Sequence, residues 1–509
     1  MEKSIGKKLF RGTLVVVIVG IMAKIAAFLS ETILAAYLGT SYQGDAYYMV
    51  SSIQQVVYPM LSAGIWKVFL PIYKEHITKN EIDKAYRITN KAISFFTVVS
   101  LIVTILIMVL TGPLVSLVAP GFEGETRRIC IILVRISAPM YIFIISSAVY
   151  ASILQSHNKF FGSQIREVVS HIPTILAAVL FYKRFGVYSL AIALVIGGLV
   201  RLIVELPFVD WGYKYKPDLK FKNKEFGVML KRLPSALISE GVTQLNTLID
   251  KAMASTLPEG TISALNYGHR LMNVFSGLLS TSIATALYPQ MIELIATKKE
   301  KEISDLIVKI INIFCVLMVP VTFACVLFRS ELVSAVYERG SFDADSTVLT
   351  SGVFALYSIG ILFIACNTVI TNLFYGYGDT KTPMYISVAN LLINVVLNLL
   401  FIKLWGANGL ALATSLSAFI TFFIRIFFIE KRIHINNKSI LISFIKISVA
   451  SVAACLTPRI IFNFYSANKF IVLIASGIIG VLIYLIMLKV LRVSELNEAI
   501  AIIKKKAKR

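Results

Sequence analysis

Between Lys24 and Lys67 two long apolar segments meet at the turn GTSYQGD, with Lys24, Glu31, Asp45 and Lys67 inside or at the ends of those segments. A charge at the centre of a membrane helix costs roughly 2.5–3.5 kcal/mol on insertion scales, so such groups face a bundle interior or a wet cavity. A second set follows at Glu240, Asp250, Lys251 and Arg270. Cations held deep between helices suit an anionic substrate, and a diphosphate best: lysine offers a point charge and arginine a two-pronged fork. The competing structural reading makes Lys24–Glu31 and Asp250–Arg270 ion pairs that knit helices together. Lys251, near a helix end, is expected to snorkel toward the membrane surface. A third set is uncharged. Asn390, Asn394 and Asn398 recur every four residues along one helix face, and Thr414 follows on the next helix. With Asp250 their oxygens could coordinate a monovalent cation. From spacing alone, interhelical hydrogen bonding is the stronger reading.

Elements able to position these groups must be membrane helices. The chain of 509 residues is 57% hydrophobic and 15% charged, and apolar runs of about 20 residues recur from end to end. They fall near 13–38, 46–73, 92–111, 127–155, 161–181, 187–209, 230–255, 262–295, 303–328, 347–375, 383–402, 408–429, 439–461 and 469–491, about fourteen helices. The first run follows MEKSIGKKLFRG and imitates a signal peptide, but it is too long and lacks a convincing cleavage site, so it reads as a retained helix.

The formal net charge of +22 would suggest nucleic acid in a soluble protein. Here the basic residues sort into alternate loops: 30 Lys and Arg lie in one set of end segments and loops and 5 in the other. That is the positive-inside pattern, and it predicts both termini in the cytoplasm, with no nucleic-acid partner. The tail KKKAKR is expected to meet anionic headgroups or to anchor the topology.

The chain also repeats itself. LVSLVAPGF from Leu114 matches LVSAVYERGSF from Leu332, and FYKRFGVYSLAIAL from Phe181 matches FIKLWGANGLALAT from Phe401. ETILAAYLG from Glu31 lies over DKAMASTLP from Asp250, and Pro71 over Pro289, all at offsets of 218 to 220 residues. Four matches in order at one spacing imply a duplicated unit of six helices, the copies related by an axis along the membrane normal with a substrate site between them. The expected divisions are 1–210, 211–430 and an appended pair with the basic tail at 431–509.

Several chemistries are excluded. There is no GxxxxGK[ST] loop, no HExxH and no GxSxG, so neither ATP hydrolysis nor these hydrolase classes are indicated. Cys130, Cys315, Cys325, Cys366 and Cys455 stand singly, without CxxC spacing. The chain is expected to be a transporter rather than an enzyme. A membrane glycan polymerase would need acidic or histidine residues in a large outward loop, and the longest here, 112–126 and 329–346, are short.

The stretches ETILAAYLGTSYQGDAYY, AGIWKVFLPIYKE, LIDKAMASTLPEGTISALNYGHRLMNVFSGLLSTSIATALYPQM, YERGSFDADST and FYGYGDTKTPMYISVANLLINVVLNLLFIKLWGANGLALATSL resemble the MurJ (MviN) family of lipid II flippases, in the multidrug/oligosaccharidyl-lipid/polysaccharide exporter superfamily. The resemblance covers nearly the whole chain except the last helix pair. It implies an all-α integral membrane fold of fourteen helices, two six-helix lobes of MATE-like type, alternating access, and a cationic cavity for a diphosphate-sugar head. It also implies a groove toward helices 13 and 14 for the polyprenyl tail, a bacterial inner-membrane location, and company with the membrane's lipids and the cell-wall synthesis machinery. Residue by residue, Arg270 stands at the family's helix 8 arginine, Asp45 at its helix 2 aspartate, and Lys24 at a helix 1 arginine. Ser30, Tyr58 and Pro59 stand where arginines are usual, and Lys67 where the residue is usually small. Asp250, Asn394, Asn398, Leu410 through its carbonyl, and Thr414 resemble a sodium site, with Asn398 where an aspartate is found. The departures leave a sibling flippase for another undecaprenyl-diphosphate-linked glycan as the nearest alternative. A drug/cation antiporter, repelled by its own lysines and arginine, and a membrane scaffold follow.

Overall fold

The computed structural model describes residues 2–209, 213–220, 224–464 and 469–493, all helix and connecting turn among those residues. The basic tail at 504–509 lies outside them. Among the described residues nine helices are long and apolar enough to cross a membrane, or eleven if two bent pairs each count as one span. Two reasons keep that count below fourteen. The helix Lys381–Glu430 counts once although Gly406, at φ 54°, breaks it, and the helices Lys224–Ala254 and Thr261–Ala296 fall outside the tally. The expected segment 127–155 is a pair bent by 44°, because Pro139 and its neighbours interrupt the ladder. The segment 347–375 is likewise bent by 41° at Gly360.

The chain divides into two compact units, residues 1–263 with 339–342, and residues 264–338 with 343–509. The first contains α1 (Glu2–Leu38), α2 (Tyr42–Gly64), a π turn over Ile65–Phe69, α3 (Leu70–Thr78), α4 (Ile82–Val109), α5 (Thr111–Val118), α6 (Gly124–Ser137), α7 (Met140–Ser156), α8 (Phe160–Val169), α9 (Ile172–Leu176), α10 (Tyr182–Phe185), α11 (Val187–Ile203) and α12 (Lys224–Ala254). α2 packs on α12 and α6, α7 on α4 and α11, and α1 on α8. The repeat assigns α12 to the second copy, yet its packing partner is α2.

The second unit contains α13 (Thr261–Ala296), which begins at the boundary, α14 (Glu300–Leu327), α15 (Arg329–Tyr337), α16 (Ala344–Ile359), α17 (Ile361–Gly376), α18 (Lys381–Glu430), α19 (Asn437–Phe464) and α20 (Lys469–Val490). α14 packs on α19, α16 and α17, α18 on α16 and α17, and α20 on α19. Large apolar side chains such as Leu117, Leu404 and Val490 are more than two-thirds exposed, as expected where lipid rather than water is the solvent. The chain is a multi-pass membrane protein.

Short polar caps fix the loops. Asp379 accepts from the Thr382 amide (3.0 Å), the Thr382 hydroxyl (2.7 Å) and the Lys381 amide (3.1 Å), so it starts α18, and it also pairs with Arg432. These donors, the Thr382 amide foremost, hold its carboxyl below the usual range. Asp343 starts α16 in the same way by accepting from the Ser346 amide at 2.8 Å. Ahead of α12, segment 213–220 is strapped to α4: Tyr213 donates to Asn90 (2.7 Å) and Lys91 meets Asp218 at 3.1 Å.

Candidate functional site

In the first unit the best-defined polar site is built around Asp45, in the first turn of α2. Ser41 caps that helix by accepting from the Gly44 amide, so Asp45 is presented with its backbone already fixed. Its carboxylate is buried and accepts three hydrogen bonds of 2.7 Å, from the Gly260 amide, the Ser263 amide and the Ser263 hydroxyl. The first two are amides at the start of α13 that no helical carbonyl can reach, so Asp45 caps a helix far from it in sequence. The neighbouring loop joins the same knot. The Ser341 amide donates to the Ala36 carbonyl at 2.7 Å. Gly39 and Gly340 have φ of 54° and 61°, and a Cβ on either would collide with backbone, at Ser341 and Ala36 respectively. The Gly121 amide donates to Ser255 at 3.0 Å. Loops 39–45, 119–124, 255–263 and 339–342 are thus tied into one latch.

The other expected site residues of this unit fall in different surroundings. Lys24 is exposed on α1 and makes no hydrogen bond or ion pair with a described residue, so the expected Lys24–Glu31 pair is not formed. Glu31 and Ser30 are buried. Lys67 lies on the π turn, a local widening that is frequent at functional positions, and is 3.3 Å from Glu240 with both groups partly exposed. Asp250 is buried on α12. Lys251 does not snorkel: it is buried, with Nζ 3.5 Å from the Tyr48 carbonyl, because the α2–α12 interface covers it.

In the second unit Arg270 is exposed on α13, next to His269, whose ring meets Tyr357 edge-on at 5.4 Å. Asn394 and Asn398 are fully buried. Asn398 donates to Asn394 (3.0 Å), Asn394 to Thr414 (3.5 Å), and Thr414 to the Leu410 carbonyl (3.1 Å). These four therefore meet as expected, but as a neutral set whose amide and hydroxyl hydrogens serve one another. The carboxylate meant to charge the set, Asp250, belongs to the other compact unit. Within this unit the donor chemistry fits interhelical hydrogen bonding.

Sequence reasoning missed a buried charge cluster on α7, α8 and α11. Arg166 lies 3.4 Å from Glu167 and 3.5 Å from Glu205, and Ser147 donates to Glu205 at 2.7 Å. Arg201 pairs with Glu167, donates to Tyr58 at 3.0 Å and stacks on its ring. Glu205 is completely enclosed. The signal was present as charges inside the apolar runs 161–181 and 187–209, with Arg201 near the end of α11 and Glu205 in the turn that follows it.

The second unit also holds an apolar cavity of about 450 Å³ walled by Phe363, Phe419, Phe422, Phe423 and Phe427, with Glu430 at its rim. Another, of about 330 Å³, lies among Pro320, Phe328, Ala454, Pro458 and Tyr484.

With this geometry in place, comparison with known proteins is informative. The family model described as lipid II flippase MurJ matches residues 34–480. A probable lipid II flippase MurJ of Borreliella burgdorferi is 26% identical over 498 residues, covering 95% of this chain and 97% of that protein. The lipid II flippase MurJ of Burkholderia cenocepacia is 24% identical over 424 residues, 81% of each chain. Among solved structures, a lipid II flippase MurJ in an inward closed conformation superposes with a TM-score of 0.81 at 24% identity, covering 94% of this chain and 98% of that one. An inward-facing multidrug MATE transporter of the MOP superfamily gives 0.70 at 13% identity, covering 82% and 97%. These likenesses establish the fold as that of the MOP transporters.

Proposed function

Because this chain belongs to the lipid II flippase MurJ family, we propose that it moves lipid II, the undecaprenyl-diphosphate-linked precursor of peptidoglycan, from the inner to the outer leaflet of the bacterial cytoplasmic membrane. The observation that carries this reading is the family match over residues 34–480. The physical support is that Lys24, on a helix long and apolar enough to span, and Arg270, on α13, have exposed side chains. A cation within an apolar membrane segment is costly and marks a candidate ligand or ion pathway. In the proposed cycle Arg270, in the second unit, binds phosphate by its fork, and Lys24, in the first, offers a point charge. Lys67, Glu31 and Glu240 set the local field.

The loop charges favour both termini in the cytoplasm, and with that orientation the end of α1, and so the Asp45 latch, lies on the outer side. Asp45 is then a group that closes the outer face rather than one that touches substrate. Opening to the outer leaflet requires its three hydrogen bonds to break, and reclosing remakes them. The Phe-walled cavity of the second unit is suited to isoprenoid chain. Moving one charge through 100 mV is worth ~2.3 kcal/mol, so the membrane potential can bias the return step.

The test is complementation of a strain depleted of its own MurJ. Wild type restores growth, whereas Arg270→Ala, inserted at matched level, does not. Normal growth with Arg270→Ala would remove that residue from the mechanism. Lipid II accumulating in a deletion strain separates this reading from a flippase for another undecaprenyl-linked glycan.

A further inference from the structure

We propose that Arg425 is the recognition group of a second phosphate site, one that takes a lipid headgroup at the Glu430 end of α18. Arg425 lies five residues before the end of that helix, about 7.5 Å inside it at 1.5 Å per residue. The residue is 7% exposed. Its guanidinium makes no hydrogen bond or ion pair with any described residue, and its Nε is enclosed without an acceptor. Neither α17 nor α18 contains an aspartate or glutamate before Glu430, and a Glu430 oxygen is already taken by the Asn437 amide.

The first unit shows what the same place looks like when its charge is balanced. The repeat that sets Phe181 over Phe401 sets Glu205 over Arg425. Glu205 is enclosed too, but it has Arg166 at 3.5 Å and the Ser147 hydroxyl at 2.7 Å. In the second unit the facing helix offers only amides and hydroxyls. Asn367 donates to the Ala418 carbonyl at 2.9 Å and lies 3.4 Å from Thr421, one turn before Arg425, and Thr421 lies 3.4 Å from Asn390. A buried charge is tolerated when it is paired, and nothing in these helices pairs it.

No described residue supplies the counter-charge, and in the proposed site an anion from outside the chain fills that place. The planar fork suits a phosphate oxygen pair, and the depth of Arg425, just inside the end of a spanning helix, is where lipid phosphates lie. Two sources share this chemistry: an acidic phospholipid of the membrane, or the diphosphate of a lipid-linked glycan. The phospholipid source is independent of the flippase reading.

The full chain in detergent is titrated with dioleoylphosphatidylglycerol, dioleoylphosphatidylcholine and undecaprenyl diphosphate, with bound lipids counted by native mass spectrometry. Wild type retains the anionic lipids, and Arg425→Gln binds them at least tenfold more weakly, whereas Lys403→Gln, just before the Gly406 break of α18, binds as wild type. Loss with both anionic lipids marks a general lipid-phosphate site; loss confined to undecaprenyl diphosphate marks the lipid-linked source. Equal binding of every lipid by wild type and Arg425→Gln overturns the proposal. Should Arg425→Gln not fold, Arg425→Lys takes its place. Its melting temperature then rises less than that of wild type on adding phosphatidylglycerol, and an identical rise overturns the proposal. Translocation by wild-type protein is read separately, so a flippase that ignores Arg425 and an Arg425 site on a non-flippase give different results.

Discussion

Replacing Asp45 by alanine removes the acceptor of three hydrogen bonds at once and leaves the Gly260 and Ser263 amides, both buried, without a partner. A hydrogen bond to a charged group contributes about 1.5–3 kcal/mol, and each buried donor left unmade costs about 1–3 kcal/mol. Water entering the loosened loop recovers part of this. A net loss of about 3 kcal/mol is therefore expected, which at 1.4 kcal/mol per factor of ten raises the unlatched population about a hundredfold. Asp45→Asn keeps one acceptor oxygen and should fall between. The readout is thiol labelling. The five natural cysteines are all buried, so a cysteine placed at Thr261, itself 3% exposed in the latch, reports its opening. When opening is fast relative to labelling, the rate follows the open population. The Thr261→Cys rate should rise about a hundredfold with Asp45→Ala and by a smaller factor with Asp45→Asn. Unchanged rates in folded protein would show that Asp45 does not hold the latch, and the account of the outer closure would fail.

Three further outcomes follow from the same geometry. Glu205→Ala removes the fully enclosed carboxylate beside Arg166, leaving it Glu167 and Ser147, and should cost about 3 kcal/mol, whereas Glu240→Gln breaks the partly exposed pair with Lys67 and should cost ~1 kcal/mol or less; melting curves of the detergent-solubilised variants compare the two. Gly340→Ala forces a side chain onto the Ala36 backbone at a positive φ, so it should speed labelling at Thr261→Cys as Asp45→Ala does, and a normal rate would mean loop 339–342 is not part of the latch. Asp379 has a carboxyl held below its ordinary value, so its contribution is complete above the unfolded pKa of about 4 and fades as the pH falls through the lower folded value. Asp379→Asn should lower stability by about 1 kcal/mol at pH 7 and flatten part of the acid-induced fall in melting temperature, measured between pH 7 and pH 3.

Much of the fold was legible because lipid imposes one demand: backbone polar groups must be satisfied within each span, so long apolar runs become helices. The runs near 13–38, 46–73 and 303–328 reappear as α1, as α2 continuing to α3, and as α14. Bends were less legible, since Pro139 and Gly360 act through local geometry that a hydropathy average smooths over. Charges were visible in the sequence where a residue type is costly in its place, as for Lys24, Lys67 and Arg270. The site was not readable where the meaning of a charge depends on a distant partner. Asp45 looks like a cavity carboxylate until Gly260 and Ser263 are seen on it, and Lys251 looks like a snorkelling lysine until α2 is seen over it. Arg166, Arg201 and Glu205 sit in apolar runs as plainly as Lys24 does. Only the fold tells that they neutralise each other in one cluster, while Arg425 at the matching place does not.

The central claim is that the exposed Arg270 of α13 helps to carry a diphosphate lipid across the membrane. It is tested most directly by reconstituting the full chain into proteoliposomes with fluorescent lipid II and following the fraction that moves to the quencher-accessible leaflet. Wild type should translocate lipid II, and Arg270→Ala, with an unchanged melting temperature, should do so at least tenfold more slowly. Equal rates for wild type, Arg270→Ala and protein-free vesicles would contradict the claim.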